Sequence, residues 1–131
     1  MSGPFIYVGT WTIKPGKLEV ARKALAEHAK FIEQNEPRLI AFHMYFDADG
    51  SRAGVVQLHP DAESMDTHME LIAEHLANYG DFIGEIVHEQ AFGAPTPAFS
   101  EALRGYEASG IPVTVLSSYE GGFTRLGGPG R

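Results

Sequence analysis

No cysteine occurs in this chain of 131 residues. That absence removes disulfide scaffolds, thiolate zinc sites, iron–sulfur clusters and cysteine nucleophiles together. Basic side chains are scarce as well: 10 Lys plus Arg stand against 17 Asp plus Glu, a formal charge of −7. The shortage is concentrated in residues 39–103, where Arg52 is the one basic residue beside eleven acids. Such a surface is a poor electrostatic match for phosphate backbones or anionic membranes, so neither nucleic acid nor membrane is expected as a partner. No apolar run approaches the ~20 residues of a membrane span, and the N-terminus lacks a basic-then-apolar secretion pattern. A soluble, cytoplasmic domain with a sizeable core is the expectation.

The pattern that remains is alternating and aromatic. Phe5–Ile13 alternates Phe5, Tyr7, Gly9, Trp11 and Ile13 with Ile6, Val8, Thr10 and Thr12, and reads as a strand with both faces at least partly buried. Residues 17–35 carry Leu18, Ala21, Leu25, His28 and Ile32 at helical spacing, and Pro37 closes that helix. Strands are expected over Arg38–Phe46 and Arg52–His59, joined by a hairpin through Asp49-Gly50. Pro60-Asp61 opens a second helix with Met65, Met69, Ile72, Leu76 and Tyr79 on its stripe, Gly80 is its expected stop, and Gly84–Phe92 reads as a fourth strand. The order β-α-β-β-α-β is the ferredoxin-like unit, an α+β fold with an antiparallel sheet and helices on one side. Residues 1–93 form this core. Residues 94–131 read as a C-terminal extension of the same domain: a helix over Ala98–Ala108, a strand over Ile111–Tyr119 and a Gly-rich tail.

Two helices cover one face of a four-stranded sheet, yet the first two strands are apolar on both faces. A large uncovered apolar face marks an interface, and the economical occupant is a second copy. A homodimer through the open sheet face is therefore expected. The competing arrangement folds the C-terminal helix and strand back over that face.

The strand–helix opening Ile13-Lys14-Pro15-Gly16-Lys17, the stretch from Glu36-Pro37 to Phe46-Asp47, and Ala48-Asp49-Gly50-Ser51 leading through Val56-Gln57-Leu58-His59-Pro60-Asp61-Ala62 carry a family likeness. Over about residues 5–93 the chain resembles the dimeric α/β-barrel superfamily, and within it the antibiotic biosynthesis monooxygenase-like domain. The resemblance implies a dimeric α/β barrel. It also implies a pocket between helices and sheet and one of several activities: cofactor-free monooxygenation of quinols and polycyclic phenols, haem degradation, or none known.

Histidine supplies the chemistry-bearing residues. His28 falls in the stripe of the first helix, and His68, Ile72, His75 and Tyr79 share one side of the second. If both stripes face the sheet, imidazoles converge there, and a neutral imidazole can accept a phenol proton. His28, His68 and His75 are the candidate catalytic residues. Trp11, His43, Tyr45, His59, Asn78 and Tyr79 are candidates for binding a hydrophobic small molecule, Trp11 by stacking on a flat ring. No metal site is read, because His68 and His75 lie seven residues apart, and no cofactor is called for. Asp47 and Asp49 read as hairpin residues rather than a calcium loop, since no Glu follows at the required register.

Overall fold

A computed structural model describes residues 3–75 and 81–125. Strand β1 (Phe5–Ile13) is the centre of a five-stranded sheet of order β2-β3-β1-β4-β5. It pairs antiparallel with β3 (Arg52–His59) on one side and with β4 (Ile83–Phe92) on the other. Strand β2 (Ala41–Phe46) adds antiparallel to β3, and β5 (Val113–Leu116) adds parallel to β4. Between these strands lie α1 (Leu18–Asn35), α2 (Ala62–His75) and α3 (Pro97–Ala108). The sheet is therefore mixed. The antiparallel sheet expected from the first four strands is present, and α3 supplies the crossover that a parallel fifth strand requires.

Helix starts follow from local chemistry. Asp61 accepts the backbone N–H of Ser64 (2.9 Å) at the start of α2 and also pairs with Arg38. Thr96 caps α3 by accepting Phe99 N–H (3.1 Å), with Pro97 in the first turn, and its hydroxyl donates to Asp66 of α2 (2.8 Å). Strand β2 is shorter than its apolar run, starting at Ala41 rather than Arg38. Residues 36–39 instead form a turn closed by Leu39 N–H to Glu36 O (3.1 Å). Strand β5 likewise spans four of the nine residues expected. Its pairing stops at Leu116, opposite Phe92, the last residue of β4, after which Gly93 turns the chain with a φ of 107°. The expected stop at Gly80 lies outside the described residues.

All three helices lie on the face of β1 that carries Phe5, Tyr7, Trp11 and Ile13. Ala21, Ala24 and Leu25 of α1 pack with Ile13, Ala53 and Phe82. Met65 of α2 and Phe99 and Leu103 of α3 pack with Phe5 and Ala91. The opposite face carries an apolar row across four strands, Leu58, Ile6, Phe92 and Leu116, beside the Val56–Val8 pair. No helix of the described residues covers it. Of the extension's described elements, β5 widens the sheet and α3 packs on the helix-covered face, so neither folds back over this one.

Candidate functional site

Between the helices and the sheet lies a cavity of about 250 Å³. Its wall is largely apolar, with Trp11, Leu25, Phe42, Met44, Met65, Met69, Ile72, Phe82 and Ile86 among its residues. Two polar groupings interrupt this wall.

The first is a chain of buried hydrogen bonds running from α1 to α2 through β3. Glu36 Oε2 lies 2.6 Å from His68 Nδ1, and His68 Nε2 lies 3.2 Å from Gln57 Nε2. Gln57 Oε1 lies 2.8 Å from His59 Nε2, and His59 Nδ1 lies 2.7 Å from Ser64 Oγ. The orientation of the Gln57 amide, with Oε1 toward His59 and Nε2 toward His68, assigns the protons. Burial pushes His59 down to about 4, with the nearby His68 adding to the shift, so it is neutral at neutral pH. Its Nε2–H donates to the Gln57 carbonyl, while Nδ1 accepts from the Ser64 hydroxyl. The Gln57 amide then donates to His68 Nε2, which must offer a lone pair, so the His68 proton sits on Nδ1 facing Glu36. The result is an imidazole oriented by a buried carboxylate, the arrangement of a general base. His68 and Gln57 border the cavity.

The second grouping is Glu89 of β4 with Tyr7 of β1. Tyr7 Oη donates to Glu89 Oε1 at 2.6 Å, and Tyr106 from α3 borders the cavity with them. Burial raises the Glu89 carboxyl to about 7, and the Tyr7 hydrogen bond partly opposes that rise. Burial and the neighbouring Glu89 push Tyr7 and Tyr106 above the usual phenol range, so both stay protonated. Gly9 makes this pairing possible. A Cβ there would sit 2.4 Å from Tyr7 Oη and 3.1 Å from Glu89 Oε2.

The residues singled out in the sequence divide as follows. Trp11, His28 and His68 border the cavity. Burial, followed by the neighbouring His68 and His75, lowers His28 to about 4, which leaves it neutral and a weak base. His75 lies behind His28, its ring stacked on Phe31 at 3.5 Å and on His28 at 5.8 Å. His59 is fully buried in the hydrogen-bond chain and does not border the cavity. His43 and Tyr45 lie on the opposite sheet face, Tyr45 being 62% exposed. Asn78 and Tyr79 lie outside the described residues. Among the described residues no cluster of three or more His, Asp or Glu is placed to hold a metal ion. Sequence reasoning missed Glu36, Gln57, Glu89 and Tyr106. Glu89 carried a signal: it is an acid on the inward alternation of a strand, flanked in the next inward position by Ala91.

Solved structures place this architecture. MupZ from Pseudomonas fluorescens superposes with a TM-score of 0.68 at 22% identity, covering 95% of this chain and 91% of its own. A provisionally named antibiotic biosynthesis monooxygenase from Chloroflexus aurantiacus superposes at 0.57 with 14% identity, over 68% of this chain and 90% of its own. Another from Caulobacter crescentus gives 0.57 at 18% identity, over 69% and 88%.

The fold is that of the antibiotic biosynthesis monooxygenase-like proteins.

At these identities the likeness concerns the fold. No family model and no curated protein matches the sequence. The two monooxygenase-named structures leave about a third of this chain unmatched, whereas MupZ spans nearly all of it. No helix among the described residues is long and apolar enough to cross a membrane.

Proposed function

We propose that the cavity binds a hydrophobic phenol or quinol and that the protein is a cofactor-independent monooxygenase. The observation that carries this reading is the buried Glu36–His68 pair opening on an apolar cavity. In this mechanism His68 Nε2 exchanges its 3.2 Å contact with Gln57 for the substrate hydroxyl and accepts its proton. The Glu36 carboxylate stabilises the imidazolium that forms. The resulting anion reduces O₂ directly at a ring carbon bearing hydrogen. One oxygen atom becomes the new carbonyl and the other leaves as water with the two hydrogens of the substrate. All electrons come from the substrate, so the protein supplies the base, the orientation and a dry site.

A tetrapyrrole exceeds a cavity of about 250 Å³, which argues against haem as its occupant. The size favours one or two fused rings. The same reading includes a two-fold dimer through the uncovered sheet face, which leaves the cavity on the outer, helix-covered side.

Oxygen uptake by chelator-treated protein on a panel of phenols, naphthols and naphthohydroquinones tests the activity. Turnover that falls about 10²–10⁴-fold in His68→Ala is expected, the usual contribution of a general base. Glu36→Gln lowers it less. Ligand recovered unchanged, with no oxygen consumed across the panel, identifies a binding module instead.

A further inference from the structure

Glu89 is 3% exposed, an unusual position for a carboxylic acid, and only one of its two oxygens accepts a hydrogen bond. Oε1 accepts from Tyr7, while Oε2 has no partner among the described residues. The backbone around it is held from both sides. Glu89 pairs with Gly9 of β1, and its N–H donates to Pro112 O (3.0 Å) at the start of β5. Thus the C-terminal extension both fixes this residue and brings Tyr106 beside it. A carboxyl raised by burial, with one oxygen paired and the other on an apolar cavity wall, is the kind of group that gathers at functional sites.

We propose that the Glu89 carboxyl, clamped by Tyr7 above Gly9 and flanked by Tyr106, is a proton-exchanging hydrogen-bond partner for a carbonyl oxygen of the cavity ligand, an apolar ring ketone or quinone. This rests on the reading that the cavity takes an apolar ring ligand. It adds a second polar anchor to the one at His68. Tyr7 remains a donor throughout the neutral range, so Oε1 is always occupied and Oε2 is the atom that changes character. Protonated, Oε2 donates to a carbonyl; ionised, it repels one. Because the carboxyl titrates at about 7, both forms are populated near neutrality. The titratable groups facing it are Tyr7 on β1, Tyr106 on α3, and His28 and His68 across the cavity. At the register of Glu89, β5 presents Val113.

The test uses 1,4-naphthoquinone and the full-length protein. Trp11 is the one tryptophan of the sequence and borders this cavity, so its fluorescence quenching reports occupancy. With no cysteine in the chain, thiol adducts of the quinone do not arise. Affinity is expected to fall about tenfold from pH 6 to pH 8, following the protonated fraction of a group that titrates at about 7. Glu89→Gln retains an N–H donor and should bind at both pH values with the wild-type pH 6 affinity. Glu89→Leu should bind weakly at both. A wild-type affinity independent of pH, a dependence that persists in Glu89→Gln and so belongs to another group, or no binding at pH 6 overturns the proposal. The assay requires no turnover, so its outcome is separate from that of the oxygen-uptake test.

Discussion

Glu89, His28 and His59 make the stability of this protein depend on pH in opposite senses. Glu89 has a folded value of about 7 against an ordinary 4.5, so the folded chain keeps a proton that the unfolded chain releases. Its contribution is fully present below pH 4.5 and is lost as pH rises through 7. His28 and His59 sit at about 4 against an ordinary 6.5, so their contribution is present above 6.5 and is lost as pH falls to 4. Glu89→Gln is therefore expected to raise the melting temperature by a few degrees at pH 8 and to leave it nearly unchanged at pH 4.5, as read by calorimetry. A residue whose replacement stabilises the fold while abolishing the pH response of the site is one kept for function. Tyr7→Phe removes the hydrogen bond that holds Glu89 down, so the carboxyl should titrate above 7, visible as an upward displacement of the wild-type binding profile. Gly9→Ala should give the same shift by pushing Tyr7 aside.

At the scale of elements, the local signals were strong wherever the chain stated its own punctuation. Pro37, Asp49-Gly50, Asp61 and Pro97 mark ends that the structure places within a few residues. The apolar runs at Arg38–Phe46 and Ile111–Tyr119 were less reliable, because strand length is set by the available partner edge rather than by the run itself. The linkage of α3 to α2 was not legible. Thr96 both caps α3 and donates to Asp66, two roles that depend on residues 30 apart meeting in space. Thr96→Ala is expected to cost about 1–2 kcal/mol, combining a lost cap with a lost side-chain hydrogen bond, measurable by urea denaturation. Thr96→Ser should recover most of it.

For the whole molecule, the proposed dimer rests on the uncovered sheet face. Its Leu58–Ile6–Phe92–Leu116 row and the adjacent Val8 and Val56 form a continuous apolar band, and Leu116 is 59% exposed. Sedimentation is expected to give twice the chain mass, with two-fold symmetry. Val56 is 39% exposed in the single chain, so lysine is tolerated there by a monomer. Val56→Lys should therefore yield a folded monomer of unchanged circular dichroism. A wild-type monomer at micromolar concentration would contradict the dimer.

The sequence by itself determined the element order, the α+β class and the two-sided apolar strands. Each of these follows from periodicity, which a linear chain displays openly. Only the tertiary structure decided which acids act. Glu36 ends one helix and meets His68 from another, while Glu89 meets Tyr7 from a strand 82 residues away. In the chain each is an ordinary acid among seventeen. What distinguishes them is burial against a particular partner, and burial exists only after the chain has packed.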